Sequence, residues 1–184
     1  MEKHIIRFLW ALLVAIIILI VGSIIEIASC IHAAFGPDND DFGKRHVIPA
    51  GLVYNQPMDE GSTFKAVDSL ATDTYLQIYN DYQGGMYLYD FHHPALPAGD
   101  IYLKCYEATK SIPLSKERIE EASKVHIETT ASFTQLVNQK NFTIYEGVWG
   151  DYYAARIEVW HRNAVTGEKT KLLEKIYRVE GWER

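Results

Sequence analysis

Tyr153-Ala154-Ala155-Arg156-Ile157-Glu158-Val159-Trp160-His161 is the stretch on which the fold turns. Ala155, Ile157 and Val159 fall on one side and Arg156, Glu158 and Trp160 on the other. Strict alternation of this kind marks a strand with one buried face. A turn holding Gly167 follows, and residues 171–179 return as a second strand, which predicts an antiparallel hairpin. The returning strand is apolar on both sides, with Leu173, Tyr177 and Val179 against Leu172 and Ile176. Such a pattern implies burial on both faces or a bulge. Thr166-Gly167-Glu168-Lys169-Thr170 echoes the end of a phosphate loop, but it lacks the upstream glycine and lies between strands, so it reads as the hairpin turn.

Working outward, residues 74–80 place Leu76 and Ile78 opposite Tyr75, Gln77 and Tyr79. The cluster Asn80-Asp81-Tyr82-Gln83-Gly84-Gly85 turns the chain into a strand at 86–91, closed by Pro94 and Pro97. Residues 101–107 alternate Ile101, Leu103 and Cys105 inward with Tyr102, Lys104 and Tyr106 outward. Ser115 is placed to cap a short helix over 116–124, with Ile119 and Ala122 as its apolar stripe. Strand patterns resume near 125–130, 133–137 and 142–145. About seven or eight short strands at regular turn intervals predict a mainly β domain. We expect an antiparallel β-sandwich, Ig-like or jelly-roll-like, with one short helix.

This body follows a different kind of segment. Residues 5–25 read IIRFLWALLVAIIILIVGSII, with Arg7 as the sole charge. At 1.5 Å per residue they make a helix about 30 Å long, the thickness of a bilayer core. Lys3 and Arg7 precede the run, while Asp38, Asp40 and Asp41 come before the next basic residues, Lys44 and Arg45. The positive-inside rule then places the N-terminus in the cytoplasm and the body in the periplasm or cell exterior. Cleavage near Ala33 or Ala34 gives a secreted alternative. A lipoprotein is another, because Ile27-Ala28-Ser29-Cys30 resembles a lipobox with Cys30 as the lipidated residue. The expected organisation is a membrane segment at 1–32, an acidic linker at 33–46 and the sandwich at 47–184. Asp38-Asn39-Asp40-Asp41-Phe42-Gly43 opens like a calcium loop, but Phe42 stands in a ligand position and Pro49 where the closing glutamate belongs.

The chain carries a net charge of −6. Its first 32 residues hold two basic and two acidic side chains, so this charge belongs to the remainder. An acidic body repels phosphate backbones, which argues against nucleic acid as a partner. Two cysteines, Cys30 and Cys105, make no disulfide framework, and Cys105 reads as a small buried residue.

Chemistry is harder to find. No HExxH, CxxC or GxSxG motif occurs. His92 and His93 are neighbours on a strand and point to opposite faces, so a shared metal would need Asp90, His126 or His161 from elsewhere. No cofactor is expected. Aromatic side chains are the strongest pointer. Tyr75, Tyr79, Tyr87, Tyr89, Tyr102 and Tyr106 could line the outward face of one sheet as a shelf for sugars or peptides, although cross-strand pairing of residues with high strand propensity alone accounts for the pattern. The loop 146–153 brings Trp149 and Tyr152 beside glycine and acid, as a binding loop or as a corner whose Trp149 plugs the domain end.

Three functions follow as expectations. The first is a non-catalytic, membrane-anchored binding or assembly module for a glycan or protein, with Tyr87, Tyr89, Tyr102, Tyr106, Trp149 and Tyr152 as ligand-binding residues. The second is a glycan hydrolase using Glu146, Asp151 and Glu158. The third is an accessory subunit of a membrane complex, its helix packing through Gly22-Ser23. Asn141-Phe142-Thr143 also fits the N-glycosylation pattern.

Overall fold

A computed structural model describes residues 42–59 and 73–182. The apolar run at 5–25, Cys30 and residues 33–41 of the acidic linker lie outside them. The chain divides into Met1–Asp38 and Asn39–Arg184, and every described residue belongs to the second unit. No helix of the described residues is long and apolar enough to cross a membrane.

The described body is mainly antiparallel β, in two sheets with two short helices. In chain order the elements are α1 (Phe42–Arg45), β1 (Tyr75–Asn80), β2 (Met86–His93), β3 (Gly99–Glu107), β4 (Pro113–Leu114), α2 (Lys116–Ala122), β5 (Val125–Ile127), β6 (Thr134–Thr143), β7 (Tyr153–Asn163) and β8 (Lys169–Val179). One sheet runs β1-β2-β6; the other runs β4-β3-β7-β8, with β5 also paired to β3. A single buried cluster draws on both sheets, with Leu76, Ile78 and Phe91 from the first and Ile101, Leu103, Ile157 and Val159 from the second. Each such side chain contributes roughly 1.5–3 kcal/mol by leaving water.

The β7–β8 hairpin forms as its alternation requires. Asn163 Oδ1 accepts from the amides of Val165 and Thr166, and Gly167 takes φ +70° in the turn. The two-sided pattern of β8 is resolved by a bulge: Val159 opposes Leu173 while Trp160 opposes Lys171, leaving Leu172 as the extra residue.

Four expectations are corrected. First, the patterns near 133–137 and 142–145 fall largely within one strand, β6, which runs Thr134–Thr143. Tyr89 opposes Lys140 but Phe91 opposes Val137, and this bulge breaks the alternation that a single strand would show. Gln139 adopts φ 45° there, and its amide donates to Asp90 Oδ1 at 2.6 Å. Second, the strand expected near 125–130 ends at Ile127 as β5, and a two-residue strand, β4, lies where no strand was expected, being too short to carry a period. Third, Ser115 precedes α2 in a left-handed conformation without capping it; its hydroxyl instead donates to Glu146 Oε2 at 2.6 Å and accepts from the Tyr145 amide. Fourth, a second helix, α1, lies at 42–45, where the sequence suggested linker. Phe42 is buried, stacks on His46 and meets Tyr153 edge-on, so apolar packing has claimed the end of that acidic stretch.

Two seams join the sheets. On one side β4, α2 and β5 lie along the outer edge of β3, with Ile119 of α2 fully buried in the core. On the other, the extended segment at 55–58 bridges β8 to β1. Asn55 exchanges main-chain bonds with Ile176 and Arg178, and Met58 with Ile78 and Asn80. Lys175 reinforces this seam, with Nζ 2.9 Å from the Leu76 carbonyl and 4.5 Å from the Tyr75 ring centroid. Burial lowers its pKa.

Candidate functional site

The tyrosines do not share one outward shelf. Tyr75 and Tyr79 leave β1 on the face opposite Leu76 and Ile78, where Tyr79 is buried and its hydroxyl donates to Asp90 Oδ2 at 2.9 Å; Tyr102, also buried, and Tyr106 leave β3 on the outer face of the other sheet. Tyr87 and Tyr89 point inward. The turn length pairs Asn80 with Tyr87 and Ile78 with Tyr89, which puts both rings on the core face. The Tyr89 hydroxyl donates to the Ser123 carbonyl at 2.6 Å, and burial raises its pKa.

The outward face of β3 and β7 is filled by its own side chains. Lys104 Nζ lies 4.6 Å from the Trp160 ring and 6.0 Å from Tyr102, and the Arg156 guanidinium lies 5.0 Å from Tyr106. Beneath them Glu158 is nearly buried. It accepts from Trp160 Nε1 at 2.8 Å and faces Arg156 Nε at 3.2 Å and Lys171 Nζ at 3.6 Å. This is a lattice of cation–π and ionic contacts that stabilises the sheet. Tyr102 also borders a hollow of about 180 Å³ with Glu117, Glu120 and Arg162.

The three acids proposed for hydrolysis are held by different parts of the fold. Both Glu146 oxygens secure Ser115, at 2.7 Å to its amide and 2.6 Å to its hydroxyl. Asp151 faces Lys44 at 3.7 Å and sits against Gly43. Glu158 belongs to the outward lattice just described. Among the histidines, His92 stacks on Phe133, His126 binds Asp100, and His161 Nε2 faces the Pro97 carbonyl with His93 and Asp100 near enough to act on its charge. Burial lowers the pKa of His161. Cys105 is buried and free, and burial raises its thiol pKa.

Two of the expected binding residues do meet, at the end of the domain where the β1–β2 turn approaches the end of β8. Tyr87 and Tyr152 line an open groove of about 230 Å³ with Gln56, Asn80, Asp81, Tyr82, Arg178 and Glu180. Tyr87 forms its floor. Its hydroxyl donates to the Glu180 carbonyl at 3.1 Å and accepts from the Glu180 amide at 2.9 Å, and burial raises the phenol pKa. Tyr82 and Tyr152 are exposed rings. The Arg178 guanidinium stacks 3.7 Å from the centroid of Tyr152.

Trp149 stands beside this groove, packed against Gly84, and its Nε1 donates to the Gly84 carbonyl at 2.9 Å. Tyr153 is fully buried, and its hydroxyl donates to the Glu146 carbonyl at 2.6 Å. Close backbone crossings set this geometry. A Cβ at Gly84 would come within 2.8 Å of both Trp149 and Glu180, and one at Gly181 within 2.0 Å of the Gly147 carbonyl. Glu180 Oε2 accepts from the Gly150 amide at 2.6 Å, tying the 146–153 loop to the end of β8.

Sequence reasoning named Tyr87 and Tyr152 of this groove, with Trp149 beside it, and missed Gln56, Asn80, Asp81, Tyr82, Arg178 and Glu180. The only local signal was the polar turn at 80–85; Arg178 looks like any outward residue of an alternating strand. No protein-family model matches the chain, and neither a curated protein nor a solved structure matches it.

Proposed function

We propose that the folded body is a non-catalytic binding module of sandwich architecture, and that its ligand is a saccharide seated in the groove at the β1–β2 turn. The observation that carries this is the pairing of exposed Tyr82 and Tyr152 rings with Gln56, Asn80 and Asp81 around one open hollow. Flat rings give apolar contact to a sugar face with little entropy lost. Amide and carboxylate groups supply the donors and acceptors that hydroxyls need. At about 230 Å³ the groove is smaller than the roughly 300–1,000 Å³ of pockets that enclose small molecules, as suits a ligand that lies partly in solvent.

The apolar run at 5–25 supports an anchored body held outside the cytoplasm, with Cys30 as the lipid attachment point in the lipoprotein alternative. Mass spectrometry of the mature N-terminus separates these. A chain retaining residues 5–25 supports the anchor, and diacylglyceryl-Cys30 at the N-terminus selects the lipoprotein.

For the ligand, the full-length chain in detergent is applied to an array of neutral and acidic glycans. We expect retention on a subset, weakened about tenfold by Tyr152→Ala, equivalent to roughly 1.4 kcal/mol. An array on which nothing is retained would end the saccharide reading.

A further inference from the structure

We infer that the groove selects an acidic saccharide, whose carboxylate is held by Arg178. This rests on the saccharide reading above and adds the charge of the ligand to it.

Arg178 differs from the other arginines on its sheet. Arg156 faces Glu158 at 3.2 Å, and Arg162 is bonded to Asp100. The Arg178 guanidinium has no carboxylate or carbonyl acceptor among the described residues and lies over the Tyr152 ring. It is half-buried and lines the groove. A guanidinium held over an aromatic face loses part of its rotamer freedom while its N–H donors stay available at the ring edge. The strand beneath is fixed as well, because the Arg178 amide donates to the Asn55 carbonyl at 2.9 Å and its residue pairs with Ala154. Stacked, preorganised and without a protein counter-ion, this fork matches a planar carboxylate in a bidentate pair.

The nearby acids are already engaged by backbone donors. Asp81 Oδ1 accepts from the Tyr82 amide at 2.8 Å, and Glu180 Oε2 from the Gly150 amide. Neither acid forms an ion pair with Arg178 among the described residues, and both keep their charge on the rim, so a ligand bearing a carboxylate is admitted only where that group reaches the guanidinium. Asn80 and Gln56 remain to meet hydroxyls of the same ligand.

Uronate oligosaccharides test this directly. Fragments of polygalacturonate, alginate and hyaluronan are titrated into the full-length chain in detergent, each beside its methyl ester, which keeps the sugar and removes the charge. At least one acid form is expected to bind tenfold or more tighter than its ester. Arg178→Gln should abolish that preference, and Arg178→Lys should restore only part of it, since a point charge lacks the fork. Equal binding of acid and ester by the natural chain overturns the inference without needing any variant. So does a preference that survives Arg178→Gln, or no binding to any of the three polymers. In each case glycans retained on the array keep the saccharide reading standing, whereas an empty array removes both.

Discussion

The Ser123 hydroxyl accepts a hydrogen bond from the Leu103 amide at 2.9 Å. It does so at the point where the outer edge of β3 has no neighbouring strand. β4 pairs with Cys105 and Tyr106, β5 pairs with Gly99 through Ile101, and α2 fills the interval. The same hydroxyl donates to the Ile119 carbonyl at 2.5 Å, so it stands in for a missing strand residue and ends the helix together. Ser123 is fully buried. Ser123→Ala leaves the Leu103 N–H unsatisfied, and we expect a loss of about 1–3 kcal/mol, read as a lower urea midpoint with an unchanged slope. An unchanged midpoint would show that water reaches this edge.

Glu107 closes the β3–β4 turn in a comparable way. Its carboxylate accepts from the Thr109 amide and hydroxyl at 2.8 and 2.7 Å and from the Lys110 amide at 2.6 Å. Burial pushes its pKa up, but these bonds, with the nearby His46, bring it below the ordinary 4.5. The native state therefore binds this proton less tightly than the unfolded chain. The stabilisation is present above pH 4.5 and is lost as pH falls through the native value. Glu107→Gln should cost about 1–3 kcal/mol at neutral pH. In paired denaturation curves the gap to the natural chain should shrink as the medium is acidified. A gap that stays constant with pH would mean that shape, not charge, matters at this position.

At the alkaline end the sign reverses. Burial raises the phenols of Tyr87, Tyr89, Tyr153 and Tyr177 above their ordinary 10.0 and the Cys105 thiol above 9.0. Tyr75, less buried, is pushed up to about 12. The folded protein keeps protons that the unfolded chain releases, so this contribution is whole below about pH 9 and declines as pH rises. We expect tyrosinate absorbance from the buried rings to appear together with loss of near-ultraviolet circular dichroism, in one cooperative step. Alkylation of the Cys105 peptide, followed by mass spectrometry, should track that step. Gradual tyrosinate formation in a protein that stays folded would contradict the burial described here.

Much of this fold is legible in the chain because alternation is a backbone property. Ile101, Leu103 and Cys105 face the core and Tyr102, Lys104 and Tyr106 face away, as their spacing dictates. The reading fails where an extra residue shifts the phase. Leu172 and the pair Asn138–Gln139 do this, and local spacing alone cannot tell a bulge from a strand end. It fails again for Tyr87 and Tyr89. Leu88 and Tyr89 are both apolar enough to be buried, and only the register with β1 selects which one faces inward. The groove was less legible still. Tyr82, Tyr152 and Arg178 are far apart in sequence, and a stacked guanidinium without a counter-ion is a tertiary fact with no one-dimensional trace.

The segment at 55–58 links the seam to the groove, since Gln56 and Pro57 line the groove while Asn55 and Met58 hold the flanking strands. The Arg178 amide donates to the Asn55 carbonyl at 2.9 Å and the Asn80 amide to the Met58 carbonyl at 2.7 Å, so both groove residues depend on this strap. Asn55→Pro deletes the donor that reaches the Ile176 carbonyl at 2.8 Å and the side-chain amide that reaches it at 3.0 Å. Two lost bonds of ordinary strength predict a destabilisation of about 1–3 kcal/mol. The loss should be local: hydrogen exchange should quicken at the Arg178 and Asn80 amides while Leu103, on the opposite seam, keeps its protection. A saccharide bound across the strap should slow those same two amides in the natural chain, because its contacts favour the closed seam. Uniform quickening that includes Leu103 would instead identify 55–58 as part of the cooperative core, and the groove wall as no more mobile than the sheets it joins.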